Sequence, residues 1–216
     1  MIEILILSLI QGVTEFLPIS SSSHLILFSK FMNFQDQSLS IDVSLHIGSF
    51  IAVITYFYKD FLKFFDNREL FLKIIVSSIP IMVVGFLLVE SNFIEKLRNV
   101  QIIGWMTLIF GILLYVSDKF NLDKKVDNDF TYKTAIIIGL FQIASLIPGV
   151  SRSGIAITAC RLLKFKRFDS AKIAFLLSIP TLGAVSIYGL KDIITSENSY
   201  FSTMNLIAIL LSFLFS

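Results

Sequence analysis

A polar stretch interrupts an otherwise apolar segment at the start of the chain. Residues 11–24 read Gln-Gly-Val-Thr-Glu-Phe-Leu-Pro-Ile-Ser-Ser-Ser-Ser-His and lie between the apolar residues 2–10 and 25–28. Because the chain is 55% hydrophobic and only 16% charged, we expect these polar groups to lie at membrane depth. Non-helical backbone is tolerated there only inside protein or beside a wet cavity, and ionisable groups there usually mark a functional site. The stretch therefore predicts a broken helix that carries a site.

The composition indicates a helical membrane protein with several spans. The mean hydropathy is +0.82, and long apolar runs recur along the chain. A net charge of +2, with basic residues scattered through loops, argues against a nucleic-acid partner. Cys160 is the single cysteine, which excludes an intramolecular disulfide. The acidic Glu3 stands where a signal peptide would be basic, so residues 1–26 are interpreted as mature structure.

The pattern of the first half starts again beyond a hydrophilic linker, residues 118–133. Leu9-Ile10-Gln11 followed by Pro18 has a counterpart in Leu140-Phe141-Gln142 followed by Pro148, and a second pair of matching segments is Ala52-Val53 with Tyr56 and Ala184-Val185 with Tyr188. Weak internal symmetry of this kind is typical of membrane folds built from repeats.

These observations predict an all-α polytopic bundle of two repeats. The first repeat is residues 1–117, with a re-entrant hairpin (1–28) and spans 43–58, 71–89 and 102–117. The second is residues 134–216, in which the last helix is missing relative to the repeat. Three crossings per repeat is an odd number, so the second repeat is expected to be inverted.

The basic residues of the loops predict the orientation. On one side lie Lys30, Lys96, Arg98 and Lys191. On the other side lie Lys59, Lys63, Arg68, Lys73, Lys119, Lys124, Lys125, Lys133, Arg161, Lys164, Lys166, Arg167 and Lys172. The positive-inside rule puts the second side in the cytoplasm and the N-terminus outside.

Gln11 and Glu15 are four residues apart, so on a helix they share one face. Their oxygens suit a hard cation such as Mg²⁺ or Ca²⁺, although two protein ligands are a weak metal signal. The alternative is a structural Glu15 that pairs with an interior hydroxyl.

The second tip, residues 148–154, reads Pro-Gly-Val-Ser-Arg-Ser-Gly. Its glycines allow successive backbone N–H groups to form an anion-binding nest, and Arg152 adds a fork of donors matched to phosphate oxygens. The alternative role for Arg152 is that of a counter-ion for Glu15.

The serines near both tips suit the N-caps of the helices that follow: Ser20, Ser21, Ser22, Ser23, Ser151 and Ser153. The positive ends of these helices are expected to face one anion-binding cavity. A serine close to His24 also makes a nucleophile and base pair plausible, the alternative being a structural histidine. His46 lies mid-span without a motif and is interpreted as structural.

Both tips closely resemble the signature motifs of the bacterial undecaprenyl-diphosphate phosphatase family of the bacitracin-resistance type. The resemblance extends to residues 42–46 and covers nearly the whole chain. It implies an integral enzyme of the bacterial plasma membrane that removes the terminal phosphate of undecaprenyl diphosphate, a lipid carrier for cell-wall synthesis. It also implies inverted repeats with re-entrant hairpins.

The resemblance implies a role for each matched residue. Glu15 and Gln11 form the acidic, metal-associated motif, Ser21 and His24 belong to the catalytic centre, and Arg152 holds the diphosphate. Further substrate-binding residues are expected at Gly149, Ser151, Ser153, Ser20 and Ser22.

Three residues depart from the family pattern: Gln11 where Glu is common, Ser23 where glycine is usual, and Ala156 where threonine often stands. The first departure weakens a two-carboxylate metal site but leaves an amide oxygen. The other two bear on packing and on contacts to phosphate.

The expected partners are the polyprenyl diphosphate and the bilayer. A polyprenyl-phosphate flippase or an anion transporter is the alternative function, since inverted repeats with broken helices also build transporters. The sequence leaves open whether serine or water attacks, which metal is used, the prenyl chain length, and the oligomeric state, a homodimer being one alternative.

Overall fold

The computed structural model describes residues 1–34, 38–56, 58–59, 62, 66–91, 93–119, 123–195 and 199–216. Side chains are not described at residues 94, 95, 192–195 and 199–202. Residue 57 of the predicted span 43–58, residues 120–122 of the predicted linker and the loop residue Lys63 lie outside the described residues.

Within the described residues the chain is helical and forms no strand beyond an isolated bridge between Lys124 and Phe165. The helices are α1 (Ile2–Thr14), α2 (Ser21–Met32), α3 (Leu39–Tyr56), α4 (Arg68–Glu90), α5 (Phe93–Leu97), α6 (Val100–Asp118), α7 (Val126–Asp129), α8 (Tyr132–Gln142), α9 (Arg152–Leu162), α10 (Arg167–Thr195) and α11 (Ser199–Phe215). A 3₁₀ turn, Ile143–Leu146, continues α8.

Four helices among the described residues are long and apolar enough to cross a membrane: α3, α4, α6 and the Arg167–Lys191 part of α10. The predicted all-α membrane class is confirmed. The predicted spans 71–89 and 102–117 correspond to α4 and α6, which begin earlier because asparagines cap them. The Asn67 side chain accepts the N–H of Leu70 at 3.1 Å, and the Asn99 side chain accepts that of Gln101 at 2.8 Å.

The chain forms two compact units. Unit 1 comprises Met1–Glu15, Ser21–Lys63 and Leu182–Ser216, and unit 2 comprises Phe16–Ser20 and Phe64–Thr181. Each unit contains residues from both predicted repeats. Helix α10 contributes to both units, and the division follows Thr181, next to the helix-interior Pro180.

In unit 1, α11 packs along α3 and α1. The contact with α3 is close at Gly48, where a Cβ atom would collide with the carbonyl oxygen of Ile209. Ser212 Oγ donates to the carbonyl oxygen of Leu45 at 2.7 Å across the same contact. Small residues and interhelical hydrogen bonds of this kind hold helices together in membranes. The apolar core of this unit contains Ile4, Leu7, Leu25, Ile41, Leu45 and Ala208.

In unit 2, α4 packs against α8, and α6 packs against α9. Gly139 of α8 lies against the backbone of Ser77, leaving no room for a Cβ atom. Asp118, the last residue of α6, receives two hydrogen bonds from Arg167 at 2.9 and 2.7 Å and lies 3.1 Å from the buried Arg161. Basic side chains thus anchor the ends of α9 and α10 to the end of α6.

The two units share a packing pattern. In unit 1 the first helix of the predicted first repeat, α1, packs on α11, and in unit 2 its counterpart α8 packs on α4. The correspondence of α1 with α8 is the one that the sequence repeat proposes, and the two-repeat organisation stays a prediction. The inverted orientation and the re-entrant insertion stay predictions.

Candidate active site

The first polar stretch is a helix, a turn and a second helix, as the sequence predicts. Helix α1 ends at Thr14 and α2 begins at Ser21. The turn between them contains Pro18, which lacks a backbone donor and disfavours helical geometry in the residue before it. Ser20 completes the turn with a φ of 58°, a conformation that non-glycine residues rarely adopt.

Glu15 is the centre of a buried polar cluster in unit 1. Its side chain is 2% exposed, and its Oε2 atom accepts hydrogen bonds from Gln11 Nε2 at 2.9 Å and from Ser21 Oγ at 2.6 Å. The spacing of four between Gln11 and Glu15 does put both on one helix face, as predicted. The start of α2 then brings Ser21 back onto the same carboxylate.

This geometry assigns the Ser21 proton to Glu15. A hydroxyl has one proton to donate, and that of Ser21 is donated to Glu15 Oε2 at 2.6 Å. A carboxylate in this position can act as general base for the serine hydroxyl. It can equally act as general base for a water molecule that donates to it in place of that hydroxyl. The sequence suggested His24 as the partner of Ser21, and this pairing stays a prediction, whereas the contact with Glu15 is seen.

His24 lies one turn beyond Ser21 on α2 and is exposed. Its side chain lines a groove of about 400 Å³ between α1 and α2. The other lining residues are Leu9, Ile10, Val13, Thr14, Leu27, Phe28 and Phe31. An exposed, titratable ring at the edge of an apolar groove can meet both a polar headgroup and a lipid chain.

His46, interpreted from the sequence as structural, belongs to the cluster around Glu15. Its Nδ1 atom lies 2.8 Å from Gln11 Nε2 and 3.1 Å from Glu15 Oε2. A lone histidine in an apolar span needs polar partners, although the sequence does not identify them. That cost of burial was the signal in the sequence.

The second tip is also a turn between two helices. Gly149 has a φ of 106°, and a Cβ atom there would meet the carbonyl oxygen of Ile103 at 2.7 Å, so glycine is required. Ser151 caps α9, because its Oγ accepts the N–H of Gly154 at 3.1 Å. The capping role predicted for this serine is confirmed.

Arg152 begins α9 and is half-buried, with Nη1 donating to Thr181 Oγ1 at 3.2 Å. Its neighbour Ser153 donates to the carbonyl oxygen of Leu17 at 3.0 Å. Since Phe16–Ser20 belongs to unit 2, this bond joins the turns of the two signature motifs inside one unit. Of the remaining predicted substrate-binding residues, Ser20 is buried and Ser22 is half-buried.

The amide of Gln11 bears on the predicted metal site. Gln11 Oε1 is buried and has no hydrogen-bond partner in the described structure, although it belongs to the cluster around Glu15. The described residues contain no group of three or more His, Cys, Asp or Glu side chains arranged to hold a metal ion. Gln11 turns its amide nitrogen toward Glu15. A site for Mg²⁺ or Ca²⁺ at these two residues stays a prediction.

A family model described as bacitracin resistance protein BacA matches residues 4–216. The chain belongs to the BacA family. The cluster around Glu15 and the turn that precedes Arg152 contain the two motifs on which the resemblance to this family rests. The resemblance drawn from the motifs is confirmed across the chain.

Curated BacA-like relatives carry a consistent name. The chain is 49% identical over 216 residues to the undecaprenyl-diphosphatase of Pelagibacter ubique, covering 100% of this chain and 84% of the relative. It is 45% identical over 199 residues to that of Saccharophagus degradans (86% and 74%) and 38% identical over 222 residues to that of Jannaschia sp. (97% and 83%).

Proposed function

We propose that this chain is a membrane phosphatase that converts undecaprenyl diphosphate to undecaprenyl phosphate and inorganic phosphate. Family membership and the names of the relatives support the reaction. The observation that carries it into this chain's own residues is the 2.6 Å hydrogen bond from Ser21 Oγ to Glu15 Oε2. In this proposal the buried Glu15 carboxylate is the base. The nucleophile is either the Ser21 hydroxyl or a water molecule that binds at the same place.

In this mechanism Glu15 takes the proton of the attacking oxygen. The oxygen, from Ser21 or from water, forms a bond to the terminal phosphorus while the bond to the bridging oxygen breaks. The electron pair stays on the bridging oxygen and leaves with undecaprenyl phosphate. If Ser21 attacks, water then hydrolyses the phosphoserine. Both routes use the same proton acceptor.

Arg152 and the backbone N–H groups at the start of α9 would bind the phosphate oxygens. A guanidinium offers two parallel donors to such oxygens, and helix N-termini favour negative charge. These donors stabilise the transferred phosphoryl group most when they are fixed beforehand. The hydrogen bond from Arg152 to Thr181 and the cap at Ser151 provide that rigidity.

His24 is the alternative for these roles. As base it would take the proton in place of Glu15; as nucleophile its ring nitrogen would bond to the terminal phosphorus while the bridging oxygen leaves, and water would then hydrolyse the phosphohistidine. His24 follows Ser21 by three residues on α2, so both side chains lie on neighbouring positions of one helix face. A divalent cation held by Glu15 and Gln11 would supply positive charge to the phosphate oxygens. We further propose that the protein lies in the bacterial inner membrane with its N-terminus outside, as the distribution of loop Lys and Arg residues indicates.

Hydrolysis and transport are separated by an assay without compartments. Purified protein in detergent, given undecaprenyl diphosphate, should release inorganic phosphate and leave undecaprenyl phosphate. A flippase or anion transporter would bind the lipid or anion and release none. Phosphate release above that of a Glu15→Gln sample prepared identically supports the phosphatase.

A further inference from the structure

His46 contacts two members of the Glu15 cluster from a different helix. Its Nδ1 atom, on α3, lies 2.8 Å from Gln11 Nε2 and 3.1 Å from Glu15 Oε2. The His46 side chain is 20% exposed, whereas that of Glu15 is 2% exposed. Buried polar groups are costly unless they are paired, and these contacts give the ring nitrogen its polar partners.

The single atom Nδ1 cannot satisfy both neighbours in the same way. It carries either one proton or one lone pair. With a proton it donates to Glu15, and with a lone pair it accepts from the Gln11 amide. In either tautomer the ring fixes the carboxylate of Glu15, directly in the first case and through Gln11 in the second.

The Glu15 side chain needs support from another helix because Glu15 lies at the end of α1. It follows Thr14, the last residue of α1, and the next residues leave the helix in the turn that contains Pro18. Side chains at a helix end are held by fewer neighbours of their own helix than those in the middle. Helix α3, by contrast, is a continuous helix of 18 residues, which makes it a firm support.

We propose that His46 is a positioning residue that holds Glu15 Oε2 against the Ser21 hydroxyl. The inference rests on the proposed function, in which Glu15 accepts the proton of the attacking oxygen. The Ser21 bond of 2.6 Å uses the same carboxylate oxygen that His46 approaches. Loss of the ring nitrogen lets the carboxylate rotate away, which lowers turnover without removing any group that binds the lipid.

Two substitutions separate positioning from space filling. His46→Asn keeps an amide nitrogen close to the place of Nδ1 but loses volume, whereas His46→Leu keeps volume but loses the nitrogen. Ser49→Ala is the control, because Ser49 lies on the same helix and bonds Ser212 at 3.1 Å instead of the cluster. Each protein is purified in detergent, and its thermal stability, kcat and KM for undecaprenyl diphosphate are measured.

Positioning predicts that His46→Leu lowers kcat by about 10-fold to 100-fold with little change in KM, since a small misplacement of a reacting group is that costly. His46→Asn should recover most of kcat, and Ser49→Ala should retain it. Two results would overturn the positioning role of His46 and leave the proposed function standing. One is normal turnover in a stable His46→Leu protein, and the other is a higher turnover in His46→Leu than in His46→Asn. A folded wild-type protein that releases no phosphate would overturn the proposed function together with it.

Discussion

Ser21 Oγ lies 2.6 Å from Glu15 Oε2, six residues earlier in the chain and across a turn. The hydroxyl begins α2 and the carboxylate follows the end of α1, so the turn around Pro18 folds one helix end back onto the other. The contact pairs a hydroxyl with a carboxylate that accepts its proton in a hydrogen bond.

Arg152 is predicted to bind the diphosphate. Arg152→Ala should lower kcat/KM by about 100-fold or more, because a charged donor in a low-dielectric site is worth several kcal/mol. Arg152→Lys restores the charge but not the forked geometry, so it should recover only part of the activity. Steady-state kinetics on undecaprenyl diphosphate checks both variants, with Arg98→Ala as a basic loop control. Equal activity of the Lys variant and the wild type would contradict bidentate binding.

His24 is predicted to act in the chemical step. His24→Ala should bind the lipid diphosphate normally and lose about 100-fold or more in turnover, the usual loss for a positioned acid, base or nucleophile. Lipid binding is measured by equilibrium titration and turnover by phosphate release. Unchanged turnover would leave His24 as part of the groove wall only, and proton transfer would then belong to Glu15 alone.

Gly48 is predicted to be indispensable for the contact between α3 and α11. Gly48→Ala should lower stability by about 1–3 kcal/mol, since its Cβ would overlap the Ile209 carbonyl oxygen. Gly104→Ala is the matched control, because no atom lies within 4 Å of a Cβ there. Thermal unfolding in detergent compares the two. A Gly48→Ala protein as stable as Gly104→Ala would mean that the helices are not packed this closely.

The orientation is predicted from the loop charges. A cysteine at Lys96 should react with an impermeant thiol reagent applied to intact cells, and one at Lys125 should not. The native Cys160 is buried and should give little background. The loop residues Asn92 and Asn121, which would serve the same purpose, lie outside the described residues. Labelling at Lys125 but not at Lys96 would reverse the assignment.

The fold class was predictable because it follows from local signals. Long apolar runs fix the spans, and the prolines and serines at residues 18–23 and 148–153 fix the two breaks. The capping of α9 by Ser151 could be read in the same way. What the sequence could not show is which helices pack together, since the pairing of α1 with α11 joins the two ends of the chain.

The site was predictable within one helix but not between helices. The shared face of Gln11 and Glu15 follows from helix geometry alone. The approach of Ser21 to Glu15 depends on the path of a turn, and that of His46 depends on the packing of α3 against α1. A motif-free histidine gives no spacing to argue from, which is why its partners became visible only in three dimensions.

Phosphate release by wild type and Glu15→Gln, measured side by side in detergent, tests the central claim most directly. Glu3→Gln, which changes the carboxylate in the first turn of α1, is the control. We expect release by wild type and by Glu3→Gln, and a loss of about 100-fold or more in Glu15→Gln, because the amide cannot take the proton from Ser21 or water. A folded Glu15→Gln protein that releases phosphate at the wild-type rate would contradict the central claim.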